Sequence, residues 1–411
     1  LEVKKFLLTV LSMILVCLTF GPNITFAEQG EWVSVSDLPV ARTGSAVAEV
    51  NGLVYVFGGT AAGTEAAVGE KTKTTFVYDP KGDTWTQKKD MPTSRAGVSA
   101  VVYEENIYVL GGYYDNNGST HRTNKVEVYN TQTDTWKTVS NMITARSWAK
   151  SVILDNMIYV IGGANENATI VPIVERYDIS NDTWTKKKNF PATLNAMSAE
   201  SVNEKIYAFG GATTWSSGMS GSIYEYNVNE DSWTKKSDMS TATTSTATAT
   251  YNGEIYIMGG QKDSSMQSRV EVYNPETNES RLITDLTFSR TQSVGVIVNG
   301  KIYIIGGTNG TKTLNTVEMY SLESKEPVDP TEPPSGNRAI LVVTMDTGLE
   351  KEFDLSMKEV SAFISWYEEK NSGLGTASYA INKHNNNKGP FSSRKDYVVF
   401  NKILTFEVSE Y

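Results

Sequence analysis

Between residues 46 and 321 the chain repeats one hydropathy pattern: a short apolar run, a polar turn and another short run. Six of these runs read LVYVFGG, NIYVLGG, MIYVIGG, KIYAFGG, EIYIMGG and KIYIIGG. Short runs separated by turn residues about every 8 to 12 positions predict strands of an all-β architecture. Helical periodicity is absent before residue 356.

The pattern is a true repeat. The Gly-Gly pairs begin at residues 58, 111, 162, 210, 259 and 306, at intervals of 53, 51, 48, 49 and 47. A tyrosine precedes each pair by three positions, and a second follows at Tyr78, Tyr129, Tyr177, Tyr226, Tyr273 and Tyr320. Seven residues further on stand Trp85, Trp136, Trp184 and Trp233, while the fifth repeat has Ser280 and the sixth has no tryptophan. The segment EWVSVSDLPVAR near the N-terminus matches the Trp-to-Arg end of a repeat, TWTQKKDMPTSR. Trp32 therefore supplies the tryptophan that the sixth repeat lacks.

A single four-stranded sheet leaves one face uncovered, whereas several packed around an axis cover each other and leave only short edges. The tyrosines and tryptophans supply the large apolar area such packing needs. These residues form the kelch motif, and residues 30 to 322 resemble kelch-repeat β-propellers. The resemblance implies an all-β, six-bladed kelch-type β-propeller whose last blade is completed by a strand near residues 31–36. It implies no single activity, because kelch propellers include protein-binding modules, a copper oxidase and a sugar mutarotase.

The remaining segments give the domain plan. Lys4 and Lys5, the apolar run Phe6 to Phe20 and the small-residue end at Ala27 read as a signal peptide over 1–27. The propeller is expected over 28–323, and 324–337, SKEPVDPTEPPSGN, is a proline-rich linker. A small α+β domain is expected over 338–411. It would have a hairpin around Asp346-Thr-Gly348, a capping box of Ser356 and Glu359, a helix carrying Val360, Phe363, Ile364 and Tyr367, and two further strands. This last segment resembles C-terminal modules of secreted Gram-positive proteins, a resemblance that carries no activity.

Composition narrows the function. The net charge of −10, without a basic stripe, speaks against nucleic acid. The one cysteine, Cys17, lies in the expected signal peptide, and a cysteine-free exported chain suits a bacterial exterior. No second apolar run is long enough to span a membrane. A copper-radical oxidase needs a Cys-linked Tyr and several histidines. The mature chain offers no cysteine and only His121 and His384. No cofactor and no metal site is expected. The expected product is a secreted or surface-associated binding protein for a carbohydrate or protein ligand. The alternative is a kelch-type sugar mutarotase acting on an acidic sugar, with an arginine holding the carboxylate and Glu65, Glu70, Glu166 or Asp263 as acid or base.

In an antiparallel four-stranded blade, the loop entering the first strand and the loop joining the second and third emerge on one side. Sixteen residues before the first glycine stand Arg42, Arg95, Arg146 and Arg290, with Leu194 and Thr243 in the fourth and fifth repeats. These arginines are expected to ring the channel mouth. Two roles stand open for them: ligand contact, or bonding to loop carbonyls and to Glu127, Glu175, Glu271 and Glu318. The variable loops add Tyr113, Tyr114, His121, Trp215, Met219 and Met266, and Trp148 follows Arg146. Exposed aromatics suit stacking on sugars or anchoring a peptide. In the C-terminal domain Lys383, Lys388, Arg394 and Lys395, with no acid among them, suit an anionic cell-wall polymer.

Overall fold

The computed structural model describes residues 30–62, 69–322, 338–371, 376–382 and 395–410. The segments 1–27 and 324–337, and residues Glu65, Lys383, Lys388, Arg394 and His384, lie outside the described residues. The chain divides into two compact units after Ser324.

The first unit is a six-bladed propeller. Blade one is the antiparallel sheet Ala46–Val50, Leu53–Phe57, Thr75–Asp79 and Thr84–Lys88. Blades two to five repeat this order, beginning at Ser99, Lys150, Ser198 and Ala247. Blade six takes Val294–Val298, Lys301–Ile305 and Val317–Ser321 from the end of the repeats, and Trp32–Val35 as its outer strand. Trp32 lies opposite Tyr320 in that pairing. The inner strands neighbour one another in a closed cycle, so the sheets ring a central channel.

Blade-to-blade packing follows from the repeat. The second strand of every blade is buried almost throughout, and its tyrosine packs against the repeat tyrosine of a neighbour, as Tyr159 does on Tyr226 at 5.9 Å. At the rim, each repeat Trp donates its indole N–H to a carbonyl of the preceding blade: Trp85 to Ser36, Trp136 to Lys89, Trp184 to Ser140, Trp233 to Lys188 and Trp32 to Thr284. In blades one to four an aspartate beside it takes the repeat tyrosine hydroxyl and a backbone N–H of the preceding blade, as Asp182 does with Tyr177 and Ser140; beside Trp32 in blade six that position is Gly30. Blade five keeps only the second device, with Asn278 in place of the aspartate.

Nearer the axis the Gly-Gly pairs let neighbouring backbones touch. Gly111 has φ +60°, and a Cβ there would lie 2.5 Å from the Arg146 carbonyl oxygen. Only glycine fits such a left-handed, crowded position. The second glycine of each pair donates its N–H to the loop entering the next blade, from Gly59 to Arg95 round to Gly307 to Arg42, at 2.8 to 3.3 Å.

The second unit is α+β. Glu350–Ser356, Arg338–Met345 and Ile403–Glu410 form an antiparallel sheet, and Ser378–Asn382 pairs with Lys395–Val399. The helix Met357–Asn371 starts at a capping box: Glu359 N–H donates to Ser356 Oγ, and Ser356 N–H to Glu359 Oε2. Val360, Phe363 and Trp366 bury their side chains with Leu341, Val343 and Phe353 of the sheet. Trp366 is a core residue that the helix periodicity did not single out.

Candidate functional site

Backbone bridges pair each blade's entry loop with its second-to-third-strand loop, as in Arg146 with Asn165 and Thr244 with Gln261. Both loop sets therefore lie on one face, around one mouth of the channel.

Two residues beyond each arginine position stand Gly44, Gly97, Trp148, Ala196, Ser245 and Gln292, all with φ between 48° and 61°. Each donates its backbone N–H to the carbonyl of its counterpart in the preceding blade, and Gly44 closes the circuit by donating to Gln292. The bonds measure 2.8 to 3.2 Å. Six left-handed residues thus form a hydrogen-bonded collar at the mouth. Inside it lies a cavity of about 100 Å³, lined by all six inner strands.

Trp148 is the exception in the collar. A left-handed backbone costs an L-residue about 1–2 kcal/mol, and a bulky side chain is rare there. The indole extends over Gly97 and reaches Gly44, so it lies across part of the mouth. Tyr113 stands beside it with ring centroids 6.1 Å apart. Tyr113 also faces the Lys71 ammonium at 5.3 Å, and Tyr114 stacks on His121 at 5.6 Å. Trp215 is 52% exposed, and the Arg122 guanidinium of blade two lies 5.9 Å from its ring. The chain has eight tryptophans. Six donate their indole N–H to a carbonyl, and Trp148 and Trp215 are the two that do not among the described residues.

The expected arginine ring is corrected. Arg42, Arg95, Arg146 and Arg290 are at most 2% exposed and turn into their own blades. Each Nη1 donates to the first glycine carbonyl of its blade: Gly58, Gly111, Gly162 or Gly306. Arg95 pairs with Glu127 at 2.8 Å, Arg146 with Glu175 at 3.3 Å, and Arg290 with Glu318. The cause is physical: carbonyls freed by the glycine bend sit in a water-poor space and need strong donors. Leu194 and Thr243 are accordingly variants of a blade interior, not gaps in a ligand ring. The proposed mutarotase pairing loses its arginine. Glu70, Glu166 and Asp263 are exposed loop residues, and no carboxylate lines the channel cavity among the described residues. Met219 and Met266 are half-buried in their loops.

Sequence reading missed Lys150 and Ser293, which line the cavity. The signal was available: the first inner-strand position reads Ala46, Ser99, Lys150, Ser198, Ala247 and Val294. Lysine is the outlier in that column.

Fold and mouth together define a kelch-type β-propeller, a class of scaffold that binds proteins and other ligands. The profile of the Attractin/LZTR1 beta-propeller family matches residues 54–318, and the chain belongs to that family. Kelch-like protein terF of Aspergillus terreus is 30% identical over 160 residues, 37% of this chain and 34% of its own. An F-box/kelch-repeat protein of Arabidopsis thaliana is 37% identical over 113 residues, 28% of each chain. The matched stretches span about a third of these relatives' length. The solved structure of YjhT aligns with a TM-score of 0.61 over 71% of this chain and 98% of its own, at 17% identity, which speaks for the fold.

Proposed function

We propose that this chain is an exported bacterial binding propeller that takes a carbohydrate or protein ligand on the collar face. Trp148 carries the reading. Its five counterparts are small or flexible, yet here a large indole is held in a costly backbone state, over the channel, with its N–H unpaired among the described residues. Strain of this kind is kept where it serves a site. Trp215, Tyr113 and Tyr114 extend the same face as rigid aromatic anchors.

The test uses Trp148→Gly, which restores the residue found at Gly44 and Gly97. Wild-type protein is screened on a glycan array and in a pull-down from cell-wall and host extracts. Trp148→Gly is expected to melt at the same temperature or higher and to lose the captured ligand at least ten-fold. Unchanged capture by the variant would overturn the site.

Export rests on Lys4, Lys5, the run Phe6 to Phe20 and Ala27. N-terminal sequencing of protein from the culture medium should begin at Glu28. Uncut protein confined to the cytoplasm would overturn it.

A further inference from the structure

The channel cavity has a chemistry distinct from that of the aromatic face. Lys150 opens the inner strand of blade three and lines the cavity, where its counterparts are Ala, Ser or Val. Its ammonium makes no hydrogen bond and no ion pair among the described residues. From blade six, Ser293 contributes a buried hydroxyl without a partner among the described residues. Among the described residues the cavity wall contains no carboxylate. Gln292 and the unpaired indole N–H of Trp148 add further donors at the collar.

We propose that this cavity is a receptor for a small oxyanion, with Lys150 as its counter-charge and Ser293 as a hydrogen-bond donor. The proposal deepens the binding reading and rests on it, since the anion would be one end of the ligand that meets Trp148. An unpaired ammonium and an orphaned hydroxyl in a half-enclosed space both gain from an acceptor that carries charge. Low local polarity strengthens that gain. The volume of about 100 Å³ corresponds to roughly seven to ten waters at about 10–15 Å³ each. It therefore admits a carboxylate or sulfate group with a short tail.

The probes are glutarate and inorganic sulfate, each compared with chloride at equal ionic strength, because sulfate also stabilises proteins by exclusion from their surface. Saturable binding by calorimetry is expected for the wild type with at least one probe. Lys150→Met should weaken it at least ten-fold, and Lys262→Ala on an outer loop should leave it unchanged. Ser293→Ala, which keeps the backbone, should weaken it several-fold. Limiting acetylation read by mass spectrometry gives an independent measure on the wild type: saturating probe should slow modification of Lys150 and not of Lys262. No saturable binding of either probe, equal binding by Lys150→Met, or acetylation of Lys150 that the probe does not slow would each overturn the proposal. Failure here is distinguishable from failure of the binding reading. If a captured ligand depends on Trp148 while neither probe binds, only the oxyanion site falls.

Discussion

Trp148 of blade three and Gly44 of blade one meet at the channel mouth: a Cβ on Gly44 would lie 2.8 Å from Trp148 Cη2. The two positions are therefore coupled. Gly44→Ala must displace the indole and also place alanine at φ +61°. In a Trp148→Gly background the first penalty vanishes. A double-mutant cycle on urea unfolding should show a coupling of about 1 kcal/mol, with the double variant less destabilised than the sum of the singles. Additive effects would mean that the indole moves aside without cost.

The buried arginines should differ in what their loss costs. Arg95→Met strands the Glu127 carboxylate, and breaking such a pair costs about 3–5 kcal/mol. Arg42 has no glutamate partner among the described residues; its guanidinium stands 4.9 Å from the Phe76 ring. Arg42→Met should therefore cost less, and the melting temperatures of the two variants should rank accordingly. Equal losses would show that the carbonyl contacts alone matter.

Blade five offers the converse. Glu271 is buried and accepts from Ser240, but Thr243 stands where three other blades place the arginine that answers a glutamate. A small cavity lined by Thr243, Gly259 and Glu271 marks the unfilled space. Thr243→Arg should fill it, bond to Gly259 and Glu271, and raise stability by about 1.5–3 kcal/mol, the range of charged hydrogen bonds. A lower melting temperature would show that Arg269, which also lines the cavity, already balances Glu271.

The rim pairs set a pH window. The hydrogen bond from Tyr177 holds the Asp182 carboxyl below its ordinary value. Burial, reinforced by Asp182, pushes the Tyr177 hydroxyl up. A depressed carboxyl contributes stability above its unfolded value, about 3.9, and loses it as pH falls through the folded value. A raised phenol contributes below about 10 and loses it as pH climbs. Tyr177→Phe should reduce both slopes in a melting-temperature profile. In blade five burial pushes Tyr273 up to about 12, but its partner Asn278 does not titrate. Tyr273→Phe should therefore change the alkaline arm alone.

The fold was legible because each repeat carries the same few large side chains at the same offsets, and packing six copies leaves little choice of architecture. Trp32 was legible for the same reason. The arginines were not. Their spacing places them in the entry loop, but the direction of a side chain depends on which carbonyls the glycine bend frees, and no offset encodes that. Trp148 was found by type and position. Its strain is a property of the collar, which exists only when six blades meet. Lys150 was hidden because it opens a strand and reads as an ordinary turn-proximal lysine.

The two hydrogen-bond circuits near the axis run in opposite senses. In the collar each blade donates to the one before it, and in the Gly-Gly circuit each donates to the one after. Every seam is thus stitched twice, once in each direction, and the head-to-tail dipoles of each circuit cancel around the ring instead of summing as they do along a helix. The field inside the mouth is left to side chains. The seams differ along the inner strands, where side chains join blades two and three through Ser99 and Ser151 and blades four and five through Ser198 with Thr246 and Glu200 with Thr248. They differ also at the rim, where the junction between blades four and five lacks the indole stitch, with Ser280 in its place. The chain's own discontinuity lies elsewhere, within blade six, where Trp32 closes the seam to blade five through Thr284. The junction that lacks the indole stitch therefore falls along an unbroken stretch of polypeptide, whereas the break in the chain is bridged by the pairing of Trp32–Val35 with Val317–Tyr320.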